Sequence, residues 1–258
     1  MKKNHKSYHR GRRKVREKKE IWRTIILVVA ICVFLVSAYQ LCKIGIDYYK
    51  GYKEYDNIND MVITTDKKDE FKVDWKKLKS INEDVVAWIR FDEPSIISYP
   101  VAHGKDNQQY LRHTLEGEYN IGGTLFIDAG NSGDMTDKNT IIYGHRIKTG
   151  IMFGKLESYA DKEFYKKYPY FYIYTPNGKK ATYQIFSVTV VKDVSDAYNY
   201  RYQTPEEFQT YLDAAKSISD YDTGVKVTAK DQIVSLSTCT KASNEDRFLV
   251  RGVKIKEE

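Results

Sequence analysis

From Thr24 to Cys42 the chain reads TIILVVAICVFLVSAYQLC, nineteen residues without a formal charge. A helix of that length spans roughly 30 Å, the thickness of a bilayer's hydrocarbon core. Trp22 and Tyr39 stand near its ends, where amphipathic rings favour the headgroup region. Residues 44–70 are polar and rich in Tyr, Lys and Asp, and predict a stalk or a leading helix. From Asp74 the stretch DWKKLKSINEDVVAWI opens with an Asp cap and a short amphipathic helix, then becomes strand-like at Val85–Ile89. Further β-patterned runs follow at Ile96–Ala102, Gly123–Asp128, Asn139–His145, Tyr170–Thr175, Ala181–Lys192, Asp231–Thr238 and Arg247–Lys256. Pro176-Asn177-Gly178-Lys179, between two of these runs, predicts a type I′ hairpin turn. Helical spacing covers Phe153–Tyr168 and Pro205–Ser219, the latter with Phe208, Leu212 and Ala215 on one face.

Seven or eight short strands with two interposed helices predict a mainly β fold, a closed barrel with helical decorations. The 258 residues suffice for one well-packed domain and an appendage. Aromatic residues at 14%, with 22 tyrosines, exclude disorder throughout, and three cysteines exclude a disulfide scaffold. Repeats, Gly-rich phosphate loops, CxxC, HExxH and metal-ligand clusters are missing from the sequence, so neither a cofactor nor a metal is expected.

The net charge of +7 suggests a polyanion partner until it is located. Residues 1–20 hold ten Lys/Arg and two Glu, a net of +8, whereas residues 44–258 carry 30 basic and 33 acidic side chains. The basic character therefore belongs to the tail, and nucleic acid is not an expected partner. A cationic flank before an apolar span predicts a cytoplasmic N-terminus with the rest of the chain outside. A cleaved signal peptide would have a shorter apolar run and a small-x-small cleavage site. A buried core helix would leave the charge asymmetry unexplained. An uncleaved signal-anchor satisfies both observations.

Under that topology Cys32 and Cys42 belong to the span or its edge, and Cys239 is the one external thiol. External compartments are oxidising, so the thiol is either an inert buried side chain or a nucleophile. A Cys/His pair would draw on His103, His113 or His145. Of these, His145 ends a predicted strand, as Cys239 does. His103 and His113 lack that context and read as surface residues or rim contacts.

Three segments in order resemble the sortases, class B in particular: NTIIYGHRIKTGIMFGKL (Asn139–Leu156), IVSLSTCT (Ile233–Thr240) and RFLVRG (Arg247–Gly252). DNQQYL (Asp106–Leu111), the run KEFYKKYPYFYIYTPNG (Lys162–Gly178) and a helix-bearing insertion over about 193–230 extend the similarity to residues 75–256. The resemblance implies a sortase-type closed β-barrel of about eight strands. Its parts would be a basic cytoplasmic tail (1–23), a transmembrane signal-anchor (24–43), a stalk or leading helix (44–73) and a catalytic domain (74–258). It implies a catalytic set of His145, Cys239 and Arg247, with Asn107, Leu111, Ser237, Tyr198, Tyr200 and Tyr202 lining the peptide groove. Read bottom-up, a thiol of pKa about 8.5 needs a cationic neighbour to become a useful nucleophile, and a fixed guanidinium can hold an oxyanion. Structural ion pairing for Arg247, a core position for His145 and ordinary packing for the tyrosines are the bland alternatives.

Class B sortases are membrane-anchored cysteine transpeptidases of Gram-positive bacteria. The resemblance therefore implies cleavage of an NPxTx-like C-terminal sorting motif after Thr, through a Cys thioester. The acyl group would pass to an amino group of a peptidoglycan precursor. The implied partners are surface proteins with a C-terminal sorting signal, that precursor (lipid II-type) and the membrane. A pilin-polymerising sortase and a non-enzymatic, membrane-tethered wall-binding domain are the alternatives. L,D-transpeptidases and papain-like peptidases fit poorly, because His145 precedes Cys239 and Cys239 stands near the C-terminus.

Overall fold

A computed structural model of the chain describes residues 5–65, 71–92, 97–240, 243 and 245–258, with side chains from Lys19 onward except that of Thr65. The start of the predicted strand at Ile96, part of the stalk (66–70) and part of the turn between Cys239 and Arg247 lie outside the described residues. The chain divides into two units between Tyr49 and Lys50. The described residues of the first lie within helix α1 (His5–Val62), and its apolar stretch is long and apolar enough to cross a membrane.

The second unit begins with the last turns of α1. Tyr55, Ile58 and Val62 recur at helical spacing and are buried, and the Tyr55 hydroxyl donates to the Gly123 carbonyl at 3.0 Å. Residues 50–62 therefore pack as part of the globular unit. A small ribbon of β1 (Ile63–Thr65) and β2 (Phe71–Val73) follows, then α2 (Trp75–Ile81), capped by Asp74, whose carboxylate accepts from the Lys77 amide.

Among the described residues, eight strands close into a barrel: β3 (Val85–Arg90), β4 (Ser98–Ala102), β5 (Leu125–Ile127), β6 (Asn139–Tyr143), β7 (Tyr170–Tyr174), β8 (Lys180–Lys192), β9 (Ile233–Cys239) and β10 (Asp246–Glu257). Their order around the barrel is β10-β8-β7-β3-β4-β5-β6-β9. β4 with β5 and β6 with β9 are parallel; the other neighbours are antiparallel. This is the expected architecture.

Two local expectations are corrected. The β7–β8 turn is not type I′, because Gly178 takes φ 83° while Asn177 stays outside the positive-φ region. Gly178 N–H bonds to the Thr175 carbonyl and Thr175 N–H to that of Lys179, a type I turn closed by a left-handed glycine. Phe153–Tyr168 is not one helix. A 3-10 turn (Leu156–Ala160) breaks at Asp161, whose side chain caps the short helix α3 (Lys162–Lys167). Upstream, the Phe153 amide is already committed to the His145 carbonyl, which holds Phe153 against the strand end.

The insertion between β8 and β9 carries a 3-10 turn (Asp196–Tyr198) and helix α4 (Pro205–Ser217). Thr204 caps α4, and Phe208, Leu212 and Ala215 form its buried face, as the spacing predicts. They pack with Phe186, Val225, Val227, Ile233 and Val253. β9 is consequently buried on both faces up to Cys239, so its serines sit beneath the insertion rather than in solvent.

The docked end of α1 gives a stability test. Ile58 is fully buried, so Ile58→Ala should cost about 2–5 kcal/mol. It should appear as a lower urea midpoint at unchanged slope, and a loss below about 1 kcal/mol would mean that this turn lies outside the core.

Candidate active site

One face of the β9–β10 ribbon carries four cross-strand pairs in succession: Ile233 with Val253, Ser235 with Arg251, Ser237 with Leu249, and Cys239 with Arg247. Directly opposed residues point to the same side of a sheet. Cys239 and Arg247 are thus direct ladder partners. On the other flank β6 runs parallel to β9 with Tyr143 beside Ser237, and the Gly144 amide donates to the Ser237 carbonyl at 3.1 Å. Two residues past that pairing, the chains reach His145 and Cys239. Parallel strands end on the same rim, and the antiparallel β10 starts there.

Gly144 makes the exit from β6 possible. A Cβ there would stand 2.3 Å from Leu125 and 2.6 Å from Phe153, so a side chain would displace both. The segment after His145 is held by the Phe153 amide and by the Arg146–Glu157 ion pair at 3.0 Å.

His145 Nε2 lies 2.7 Å from the Leu111 carbonyl oxygen. A carbonyl can only accept, so Nε2 carries the proton and Nδ1 is the basic nitrogen of the neutral ring. Burial holds the imidazole pKa below its usual value, outweighing the Leu111 hydrogen bond, and the nearby Arg112 charge adds to the lowering. Arg247 reaches the Asp193 carboxylate at 3.1 Å and its Nη1 donates to the Asp246 carbonyl.

A cavity of about 380 Å³ opens at this rim, and His145, Cys239 and Arg247 all line it. Asn107, Leu111, Tyr198 and Ser237 line it too. Tyr198 Oη and Ser237 Oγ are 2.9 Å apart, and the Tyr198 ring stacks on that of Tyr143. Asn107 donates to Asp128 and accepts from the Ala129 amide, while Tyr143 donates to the same Asp128 carboxylate. The wall is therefore a connected polar network.

Tyr200 and Tyr202 are not among the residues lining this cavity. Tyr202 packs on Phe208 and Tyr211 in the α4 core, and Tyr200 lies against Gly130 and beneath the Arg201 guanidinium. Gln108, Phe126, Tyr143 and Asp193 line the cavity without having been singled out. Asp193 had no sequence signal, since its place follows from the β8–β10 register that pairs Val191 with Arg247.

The family model of the Sortase domain matches residues 93–255, well over half of the chain. This chain belongs to the sortase family. It is 32% identical to Sortase B of Listeria monocytogenes over 238 residues, covering 88% of this chain and 94% of that protein. Sortase B of Staphylococcus aureus is 28% identical over 224 residues, covering 86% and 91%. The solved structure of a Staphylococcus aureus sortase B–substrate complex aligns at TM-score 0.66 and 34% identity, over 70% of this chain and 84% of that one. Sortase B from B. anthracis in complex with AAEK1 aligns at 0.73 and 31%, over 82% and 99%. These similarities place the sortase in class B, whose members are cysteine transpeptidases. The alternative of a non-enzymatic wall-binding domain is thereby set aside.

The buried imidazole predicts a titration. The His145 ring should titrate below 6.5 in imidazole NMR spectra of the folded protein. Between its lowered pKa and 6.5 the unfolded chain binds more protons than the folded one. This group's contribution to stability is thus complete above 6.5 and is lost as pH falls through that window. A titration at or above 6.5 would mean that burial is not the dominant influence on the ring.

Proposed function

We propose that this sortase uses Cys239 as nucleophile, His145 as proton carrier and Arg247 as the group that holds the substrate carbonyl. The observation that carries the reading is the register, which makes Arg247 the cross-strand partner of Cys239 and ends β6 two residues before His145. A neutral imidazole beside the thiol can take its proton and later return it to the leaving amine. The guanidinium's planar fork suits a carbonyl oxygen that gains charge during attack. Asn107, Leu111, Tyr198 and Ser237 would contact the peptide.

The substrate is a surface protein with a C-terminal NPxTx-like motif, cleaved after Thr to give a thioester on Cys239. An amino group of a peptidoglycan precursor then displaces the thiol and forms an amide. The uncharged span Thr24–Cys42 would anchor the enzyme, with the basic tail in the cytoplasm and the barrel outside. That topology places the site where cargo and wall precursor meet.

Cys239→Ala should abolish cleavage of a sorting peptide with the fold intact, and wild-type enzyme should show a thioester adduct on Cys239 by mass spectrometry. An added amine should divert product from free acid to amide; an unchanged product ratio would make the enzyme a hydrolase. Cleavage by Cys239→Ala would overturn the assignment.

Arg247→Lys keeps the charge but loses the paired donors, so turnover should fall by roughly two or more orders of magnitude. Activity near that of the wild type would move the oxyanion role elsewhere.

Protease added to intact protoplasts should digest the chain beyond about residue 45 and spare the basic tail. A protected barrel would contradict the topology.

A further inference from the structure

A second cavity, of about 610 Å³, lies under α4 and the 3-10 turn at Asp196–Tyr198, and Arg251 forms part of its lining. Arg251 follows Arg247 by four residues on the same face of β10, roughly 14 Å along the strand. Its side chain is fully buried. Nε donates to Tyr211 Oη and Nη1 to Ser187 Oγ, each at 3.2 Å, and the guanidinium lies 5.9 Å from the Tyr211 ring centroid. Among the described residues no carboxylate pairs with it, and Nη2 has no hydrogen-bond partner. The neutral partners have no capacity to spare as counter-ions, since Ser187 Oγ donates to the Ala215 carbonyl and Tyr211 Oη to that of Ala197. A guanidinium withdrawn from water with only neutral partners is strongly unfavourable unless an anion meets it.

The same cavity holds a second orphan, the buried Ser195 Oγ. Its other lining residues include the exposed carboxylates Asp196 and Glu207, while Arg201, also exposed, lies over the Tyr200 ring. Charge is thus graded, with a buried cation inside and exposed acids outside. The walls between are partly apolar, including Val191, Ala215 and Ile218.

We propose that this cavity is a second ligand site, which takes the carboxylate of a zwitterionic amino acid or short peptide on Arg251. The ligand's ammonium group faces Asp196 and Glu207, and the carboxylate accepts from Nη2 and from Ser195 Oγ. The site is separate from the cavity at Cys239, and Tyr198 belongs to the lining of that cavity while Ala197 and Asn199 line this one. Occupation would therefore brace the backbone on both sides of a residue that touches the catalytic cavity.

The test is calorimetric titration of the full-length Cys239→Ala protein in detergent micelles with alanylalanine and with its C-terminal amide. The free acid should bind at least about tenfold more tightly than the amide, as expected for a charge-assisted pair in a desolvated site. Arg251→Gln should abolish that preference. Ala214→Trp, at an exposed lining position, should block binding while leaving sorting-peptide cleavage unchanged when placed in the active enzyme. Arg247→Gln should leave dipeptide binding intact. No binding, equal binding of acid and amide, binding that survives Ala214→Trp, or binding lost in Arg247→Gln would each overturn the proposal. Because the assay needs no turnover, its failure would leave the catalytic assignment standing.

Discussion

Everything at the rim proposed as catalytic depends on the register of three adjacent strands. β6 and β9 run in the same direction and so deliver their C-terminal ends, His145 and Cys239, to one edge of the barrel. β10 returns antiparallel from that edge and places Arg247 opposite Cys239. A slip of one residue would turn Arg247 to the opposite face of the sheet. Polar side chains fix the alignment where hydrophobic burial alone would be permissive. Asn139, fully buried at the start of β6, accepts from Ser235 Oγ on β9 and donates to the Asn199 carbonyl in the insertion. Asn131 accepts from the Ile141 amide and donates to the Asn139 carbonyl. Each bond is modest alone, but a misaligned strand would strand several buried polar groups at once.

The same face of the sheet carries two arginines in opposite electrostatic settings. Arg247 stands at the solvent end, with Asp193 as counter-ion, and lines a cavity able to admit a carbonyl. Arg251 lies deep, with hydroxyls and a ring as its partners. The ion pair at the first arginine keeps the guanidinium oriented yet exchangeable, because water screens it. Burial disfavours the charged form of the His145 ring, which suits the proton-carrying role proposed for it.

Strand positions were legible because alternation and turn residues mark them, and the strand-end placing of His145 and Cys239 followed from where those patterns stop. The failures arise where hydrogen bonds and caps interrupt a repeating pattern. Phe153–Tyr168 has helical spacing, but the Phe153 amide is taken by His145 and Asp161 starts a new cap, so the helix splits. Asn177-Gly178 reads as a type I′ pair, yet Gly178 alone takes positive φ. Of the tyrosines at 198, 200 and 202, Tyr198 lines the cavity and Tyr202 packs in the α4 core. Asp193 gave no signal, since a charge's partner depends on register across the barrel and not on neighbours in sequence.

The central claim is that this register sets the thiol, the imidazole and the guanidinium around one reacting carbonyl. An experimental structure of the enzyme acylated on Cys239 by a sorting peptide tests it directly. The account predicts the thioester oxygen within about 2.7–3.1 Å of an Arg247 guanidinium nitrogen, with the Asp193 pair loosened and the His145 ring bordering the same carbonyl. A thioester oxygen turned away from Arg247, with the Arg247–Asp193 pair unchanged, would contradict it.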